Sequence, residues 1–516
     1  MSEAIHLKSA LKHICVIYLV LISYAFFTYC GSQAHLADFL PKNYHYLTEG
    51  FLSGKLSFPF APPLELSQLK NPYDFRENYN IQFPDGEFLH QKVHDASYYK
   101  GKLYLYFGPL PVFLFYLPSK LFLGYYLSDY VAIFLFLSLG FIFCYALLIK
   151  IQKTYFPHLS DFQIMLAGLS LGLANNAPFL CTRAAFYEVA IASAFFMLSA
   201  ALFFLYRIFH DHFKIKDLIF FSLCLGLSAS GRPHFALLSF ILIPSLWIYL
   251  CKYTDKSQLL VRGIALSLPA LFIGSFLMLY NTMRFDSIFE FGHNYELAAN
   301  SGLSNHIVID PFFNLLYEFY NYFLRSFDLI NSFPYVFFPN FYEIRMVNDK
   351  AYEATVGFFK ISPLLMFLFF LPFVIKFYSR HESIFYRPLL HFIKFFVLMT
   401  GIIVLFILSI KGSNYRYLSD FSTFLVELTI ISFWLCEKYV RKDVYKFFEV
   451  IFVFLCLLSI YIGMILGVYY IFQWYYFVGY NFSKINEVMF FIFSFFLFFV
   501  ITGLLFRKRM LFARII

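Results

Sequence analysis

The sequence predicts an all-α polytopic membrane protein, with residues 1–516 forming a single membrane domain. Of its 516 residues 60% are hydrophobic and only 14% are charged, whereas soluble domains are nearer half apolar and a quarter charged. The mean hydropathy is +0.68. The chain also contains 76 Phe and 41 Tyr residues. Lipid-facing helices and interfacial aromatic belts accommodate that many rings, and a soluble core does not.

Apolar runs indicate about twelve transmembrane helices, since a helix needs about 20 apolar residues to cross the hydrocarbon core. The predicted spans lie near 13–31, 129–149, 162–181, 186–206, 217–230, 235–250, 259–280, 357–375, 391–410, 420–436, 446–472 and 486–506. The segment 103–123 is also apolar, but Pro109, Pro111 and Pro118 interrupt it. Because proline removes a backbone donor and kinks a helix, we predict an interfacial or re-entrant segment there.

The positions of the basic residues predict the orientation. With the N-terminus in the cytoplasm, the cytoplasmic loops hold most of the lysines and arginines, and the short outer loops hold few, which is the positive-inside pattern. The net charge of +9 therefore reflects topology, and we expect no nucleic-acid partner. We expect an integral protein of a bacterial inner membrane with both termini cytoplasmic and the active site facing outward. The basic residues of the short outer loops are Arg183, Arg232, Lys411, Arg416 and Lys484.

Two outer segments, 32–128 and 281–356, are long and carry amphipathic patterns. Residues 39–54 predict an interfacial helix that ends at Gly54, and Phe312 to Phe323 predict a second one. No separate soluble C-terminal domain is predicted. The eight cysteines lie in or beside apolar runs without a CxxC spacing, so neither a disulfide framework nor a metal cluster is indicated.

Charged residues at the outer ends of the spans are the candidate functional residues, because an ionisable group at a helix centre costs about 2.5–3.5 kcal/mol. Asp38 follows the first span, and Asp95 precedes the proline-broken segment. The other candidates, taken as substrate-binding residues, are His94, Lys102, Arg183, Glu188, Arg232, His234, Arg284, Arg416 and Asp420.

Each candidate also has a structural interpretation. Asp38 is suited to begin a helix, Asp95 to occupy a turn, and Arg183 and Arg416 to reach the lipid headgroups. The Gly231-Arg232-Pro233-His234 stretch is suited to a plain turn. The functional interpretation depends on the fact that all of these residues are predicted on one side of the membrane.

Transfer of a sugar from a polyprenyl phosphate carrier matches this inventory. The lipid tail requires hydrocarbon and the sugar requires water, so the reaction belongs at the interface. A carboxylate takes the proton of the acceptor hydroxyl. The phosphate leaving group needs charge neutralisation, which arginine or a divalent metal supplies.

The layout resembles the GT-C superfamily of integral membrane glycosyltransferases, which includes aminoarabinose transferases and protein O-mannosyltransferases. The resemblance rests on Leu36-Ala37-Asp38-Phe39 after the first span, on Phe107-Gly108-Pro109-Leu110-Pro111 as the interfacial segment, on the Gly231-Arg232-Pro233 turn, and on Arg416-Tyr417 with Asp420. Phe107 and Gly108 stand where the superfamily's second acidic residue usually lies, so Asp95 is taken as its stand-in.

The resemblance implies an inverting transfer from a polyprenyl-phosphate-linked sugar to the hydroxyl of a lipid or glycan acceptor. Asp38 would then be the general base or orient the acceptor, and Asp95 would be the second carboxylate. Arg183, Arg232 and Arg416 would bind the lipid phosphate. No cofactor is required by the pattern, but a divalent metal held by Asp38 and Asp95 stays an open alternative.

Three other functions stay open. A transporter or flippase of lipid-linked saccharides usually has charges near the bilayer midplane, where Glu427 is the main example in the predicted spans. A polysaccharide polymerase or ligase would use the same carrier at the same face. A non-catalytic assembly protein would not need clustered carboxylates and arginines there.

Overall fold

A computed structural model describes residues 2–33, 42–297, 312–329, 336–337, 345–347, 350–352, 355–381, 384–410 and 413–478. The described chain is mainly helical, and its only strands form two-stranded antiparallel hairpins. Asp38 and the predicted span 486–506 lie outside the described residues.

Helices lie along most of the predicted spans among the described residues. The first half contains α1 (Ser2–Gln33), α2 (Asn43–Leu52), α3 (Leu64–Gln68), α4 (Phe75–Asn78), α5 (Leu89–Lys92), β1 (Ser97–Tyr99), β2 (Lys102–Tyr104), α6 (Leu117–Leu123), α7 (Asp129–Tyr155), α8 (Asp161–Leu173), α9 (Ala177–Thr182), α10 (Phe186–His210), α11 (Ile215–Gly231), α12 (Ala236–Tyr253) and α13 (Lys256–Phe285). The second half contains α14 (Phe312–Phe319), β3 (Asp328–Leu329), β4 (Val336–Phe337), β5 (Arg345–Val347), β6 (Lys350–Tyr352), α15 (Phe358–Ile361), α16 (Leu371–His381), α17 (Arg387–Ser409), α18 (Ser422–Tyr439) and α19 (Lys442–Val478).

Eight helices among the described residues are long and apolar enough to cross a membrane, which confirms the prediction of an all-α polytopic membrane protein. They correspond to α1, α7, α10, α12, α13, α17, α19 and the helical stretch Pro363–Arg380. The total of twelve stays a prediction. Of the other predicted spans, 162–181 is divided between α8 and α9, α11 has 17 residues, and α18 carries Glu427, Glu437 and Lys438.

The helix bundle has two ends, which differ in the loops that they carry. The upper end is the one where α1, α9, α11 and α13 finish and where α7, α10, α12 and α18 start. There the Tyr130 hydroxyl donates to the Gly31 carbonyl at 2.9 Å. The lower end carries ion pairs between helix termini, including Lys12 with Asp161 and Arg207 with Asp217. The upper end corresponds to the predicted outer face.

The first outer segment folds onto the upper end. In α2, Tyr44 and Leu47 are buried, and Tyr44 stacks on Tyr116 with ring centroids 5.5 Å apart. Gly54 has a φ of +69°, a left-handed conformation that suits the end of a helix. Residues 112–123 are helical, but this stretch is too short to cross a bilayer. The β1–β2 hairpin inside this segment was not predicted.

Two glycines allow backbones to meet without an intervening side chain. A Cβ atom on Gly463 in α19 would lie 2.0 Å from the Leu173 carbonyl oxygen at the end of α8. A Cβ atom on Gly108 would lie 1.9 Å from the Ser230 carbonyl oxygen at the end of α11. Small residues at helix interfaces let backbones approach in this way. The Gly108 contact attaches the first outer segment to the bundle.

We expect Gly463→Ala to lower the melting temperature of the detergent-solubilised protein, because overpacking of this kind costs about 1–3 kcal/mol. The matched control is Gly401→Ala in α17, where a Cβ atom meets nothing within 4 Å. That variant should melt at or slightly above the wild-type temperature, since alanine favours helix over glycine. Equal melting temperatures for the two variants would contradict the close approach of α19 to Leu173.

Candidate functional site

Five segments of the upper end meet and bring most of the predicted site residues together. They are the first-segment loop 94–108, the start of α10 with the residues before it, the turn between α11 and α12, the stretch 286–297 after α13, and the turn Tyr415–Asp420 before α18. The segments are far apart in sequence, so the fold and not local sequence creates the site.

Asp95 is held at the centre of the loop by two side chains. The Tyr187 hydroxyl, from the first turn of α10, donates a short hydrogen bond to Asp95 Oδ2. The His94 Nε2 atom lies 3.6 Å from Asp95 Oδ1. Asp95 has a φ of +54°, a left-handed conformation that is uncommon outside glycine and in which Asp is enriched. Asp95 is therefore both the turn residue that the sequence allows and a carboxylate with a fixed direction.

Arg416 lies on the other side of Tyr187. Its guanidinium carbon is 4.0 Å from the centre of the Tyr187 ring, within the range of a cation–π contact. The Asn414 side chain accepts a hydrogen bond from the Arg416 backbone N–H at 3.2 Å and begins the turn that presents Arg416. Tyr187 thus connects a carboxylate through its hydroxyl and an arginine through its ring.

A second carboxylate, Glu296, lies beside Asp95. Ser97 forms a β-bridge with Glu296, and the Leu297 N–H donates to the Ala96 carbonyl at 2.8 Å. Burial and the negative charge of Asp95 raise the pKa of Glu296 to about 7, although His293 and Arg416 act in the opposite direction. His293 Nδ1 lies 2.9 Å from Glu296 Oε2, and this contact raises the pKa of His293.

Arg232, His234 and Asp420 form a buried group between the α11–α12 turn and the turn Tyr415–Asp420. Asp420 Oδ2 lies 3.3 Å from an Arg232 guanidinium nitrogen and 3.6 Å from His234 Nε2, and the Asp420 side chain is 0% exposed. The Arg232 guanidinium also covers the Tyr417 ring at 5.0 Å. This group joins the α11–α12 turn to the turn that carries Arg416.

Arg183 and Glu188 pair across the α9–α10 junction. Arg183 Nε lies 3.3 Å from Glu188 Oε1, and the Glu188 side chain is 0% exposed. The pair fixes the first turn of α10, which presents Tyr187. Its position at the rim of the site is compatible with the predicted binding role and also provides a structural one.

Two other predicted residues have different surroundings. Arg284 donates to the Leu105 carbonyl at 2.7 Å and to Asn281 Oδ1 at 2.9 Å, and it lies 3.9 Å from the Tyr280 ring centre. Arg284 thereby anchors the segment after β2 to α13. Lys102 is exposed at the start of β2, whereas its neighbour Lys100 pairs with Asp286 at 2.7 Å. Their roles in substrate binding stay predictions.

Sequence reasoning missed the roles of Tyr187 and Glu296. Tyr187 lies between the candidate residues Arg183 and Glu188, so its position at a helix start beside them was a usable signal. Glu296 lies in a loop without any local pattern, and its neighbour Asp95 is two hundred residues away in sequence. The β-bridge between Ser97 and Glu296 and the hydrogen bond from Leu297 to Ala96 reveal that the two segments meet.

The side chains of the site can be compared with the alternative in which a divalent metal takes part in the reaction. Within residues 2–33, 42–297 and the described parts that follow, no three His, Cys, Asp or Glu side chains come together as a metal-binding group. The predicted ligand Asp38 lies outside those ranges, so the pairing of Asp38 with Asp95 stays a prediction.

Comparison with known proteins adds no relative. No family model matches the chain, and no curated protein matches it. The resemblance to the GT-C superfamily therefore stays an expectation from the sequence motifs.

We expect Arg232→Gln to lower the free energy of unfolding by about 3–5 kcal/mol, because it leaves the buried Asp420 carboxylate without its main counter-charge. The double variant Arg232→Gln/Asp420→Asn should recover part of that loss. Arg441→Gln is the control, since Arg441 pairs with Asp443 at 3.4 Å and both side chains are 84% exposed. Such exposed pairs contribute about 0–1 kcal/mol. Equal melting temperatures for Arg232→Gln and Arg441→Gln would show that the pair is not buried.

The raised pKa of Glu296 predicts a pH-dependent stability. In the unfolded chain a glutamate titrates near about 4.3, so between that pH and about 7 the unfolded chain loses the Glu296 proton first. Stability is then lost as the pH rises through this window. The His293 contact acts in the same direction, because its stabilisation is present at low pH and is lost as His293 deprotonates.

The measurement is the melting temperature of Glu296→Gln minus that of the wild type at pH values from 4.5 to 8. The difference should move in favour of the variant between pH 4.5 and 7 and then level off. The control is Glu65→Gln, which changes an exposed carboxylate in α3. A difference in melting temperature that stays constant over the whole pH range would refute the partly buried position of Glu296 beside Asp95.

Proposed function

We propose that the protein is a membrane glycosyltransferase that moves a sugar from a polyprenyl-phosphate-linked donor to an acceptor hydroxyl at the upper end, the predicted outer face. The observation that supports this most is the grouping of Asp95 and Glu296 with Arg416 around Tyr187. Two neighbouring carboxylates and a cation at one end of a membrane bundle are the groups that such a transfer requires.

The proposed reaction gives each of these groups a different role. An acceptor oxygen attacks the anomeric carbon, the bond from that carbon to the phosphate oxygen breaks, and the polyprenyl phosphate leaves with the bonding electron pair. A carboxylate takes the acceptor proton, and we assign this role to Asp95 or Glu296. Because Glu296 has a pKa of about 7, it exchanges protons near neutral pH, as a general base must. Arg416 offsets the charge on the phosphate.

An aromatic surface beside the site suits the lipid tail of the donor. Phe51 stacks on Phe113 with ring centroids 5.5 Å apart, and Phe113 contacts Phe276 at 6.3 Å. Phe113 and Phe276 are 46% and 40% exposed. These rings come from α2, the helical stretch 112–123 and α13, and Tyr280 of α13 connects them to Arg284. A prenyl chain lying on this surface would keep its phosphate at the upper end.

A transporter or flippase is the second candidate, and Glu427 is the observation that favours it. Glu427 lies in the interior of α18 with a side chain that is 0% exposed, and Cys144 of α7 lies close to it. Intramembrane carboxyl groups often mark ion or proton paths. The transferase proposal places its chemistry at Asp95 instead, so Glu427→Gln separates the two functions.

The first test is binding of undecaprenyl phosphate to the purified protein. We expect saturable binding that weakens about 10-fold or more in Arg416→Ala, since hydrogen bonds to charged groups contribute about 1.5–3 kcal/mol. Asp38→Asn should bind as the wild type does, because the resemblance implies a role for Asp38 in proton transfer and not in phosphate binding. The exposed Arg441→Ala is the matched control. Absence of binding by the wild type would contradict the proposal that the donor is carried on a polyprenyl phosphate.

Transfer is then measured with membranes that contain radiolabelled lipid-linked sugar. Asp95→Asn should reduce transfer by roughly 10²–10⁴-fold while leaving carrier binding intact, which is the usual contribution of a general acid or base. Glu427→Gln should keep wild-type transfer. The reverse result, with Asp95→Asn active and Glu427→Gln inactive, would favour the transporter.

A further inference from the structure

A basic cleft lies at the lower end, far from the candidate site. It has a volume of about 540 Å³ and opens between the start of α11 and the first turns of α13. The preceding turn and α11 contribute one side, and α13 contributes the other. Among its lining residues are His212, Lys214, Lys216, Ser257, Val261 and Arg262.

Among the residues that the structure describes, most of the basic side chains that line the cleft have no carboxylate close enough to form an ion pair. Within the described parts of the chain, Lys216 and Arg262 have no acidic partner within 4.0 Å, and Arg262 donates only to the Thr254 hydroxyl at 3.3 Å. Lys214 lies 3.8 Å from Asp211. The lining itself contains no Asp or Glu.

The two carboxylates that follow α10 and begin α11, Asp211 and Asp217, both contact Arg207. Asp217 is 0% exposed and lies 3.1 Å from Arg207 Nε, and Asp211 lies 3.5 Å from the same nitrogen. Asp217 is therefore engaged by Arg207, and Asp211 is shared between Arg207 and Lys214, so neither carboxylate pairs with Lys216 or Arg262. Lys216 and Arg262 repel each other across the open volume, Lys214 is only partly offset by Asp211, and an anion inside the cleft would relieve that repulsion.

An apolar surface continues from the cleft along α13. Val261 lines the cleft and is 53% exposed, and Ile264 and Leu268 follow on the same face of the helix with 49% and 60% exposed. Spacings of three and four residues place side chains on one helical face. Ile215 adds a 45% exposed side chain on the α11 side. A small soluble anion would not use this surface, whereas acyl chains would.

We propose that the cleft binds an anionic phospholipid, with the headgroup phosphate between Lys214, Lys216 and Arg262 and the acyl chains along Ile264 and Leu268. Basic pockets between transmembrane helices at the cytoplasmic side commonly bind anionic headgroups. The lower end carries most of the basic loop residues and is the predicted cytoplasmic end. The proposal does not depend on the proposed transferase activity.

The test uses the full-length protein in detergent with dioleoyl phosphatidylglycerol or dioleoyl phosphatidylcholine as the probe, and bound lipid is counted by native mass spectrometry. We expect the wild type to retain phosphatidylglycerol in preference to phosphatidylcholine. Lys216→Gln/Arg262→Gln should weaken phosphatidylglycerol binding roughly 30-fold, because each cation near an anionic surface contributes about five-fold. The matched control, Lys252→Gln/Lys442→Gln, removes two lower-end charges that do not line the cleft and should retain the preference.

Two results would overturn the proposal. One is an equal preference for phosphatidylglycerol in the wild type and in Lys216→Gln/Arg262→Gln. The other comes from a parallel arm with inorganic phosphate: a rise in melting temperature as large as that given by phosphatidylglycerol would assign the cleft to a free phosphate anion. A rise with phosphatidylglycerol alone, lost in the cleft variant, supports the lipid assignment.

Discussion

The contact of Gly108 with the Ser230 carbonyl is the point on which the upper end depends. It joins the first outer segment directly to the end of α11, with no side chain between the two backbones. Arg284 reinforces the attachment through its bond to the Leu105 carbonyl. With the segment held there, Asp95 reaches Tyr187, and the stretch after α13 pairs with Ser97. A looser attachment would separate the two carboxylates from Arg416.

Charge in this molecule is placed according to the cost of desolvation. The long helices carry few charged groups in their interiors, so ion pairs collect at the two ends of the bundle. At the upper end the charges surround Tyr187 and leave Asp95 partly exposed, with 17% of its side chain accessible. At the lower end, Arg207 pairs with Asp211 and Asp217, and Lys216 and Arg262 line a cleft that contains no acidic residue among those described. The two ends thus suit different anionic ligands.

Sequence patterns predicted the helical class and most span positions, because apolar run length is a local property. They also placed His94, Asp95, Arg183, Arg232, Arg416 and Asp420 at one end, because charge alternation between loops reports the topology. Patterns did not predict the β1–β2 hairpin or the pairing of Glu296 with Asp95, which arise from contacts between distant segments.

The break between α8 and α9 was missed for a related reason. There, Asn175 accepts a hydrogen bond from the Ala177 N–H at 2.8 Å, and Asn176 donates to Ser419 at 2.8 Å. These bonds replace the helical ones inside an otherwise apolar run.

Helix α13 connects the two ends of the molecule and fixes the distance between them. Arg262 stands near the lower end of this helix and Arg284 near its upper end, and the stretch between them is roughly 33 Å long at 1.5 Å per residue. The hydrocarbon core of a typical bilayer is about 30 Å thick. A thinner bilayer would force α13 to tilt, and the tilt would pull on the Leu105 carbonyl through Arg284. The spacing of these two arginines is therefore close to the hydrocarbon thickness of a typical bilayer, and we expect lipid chain length to act on the geometry around Asp95.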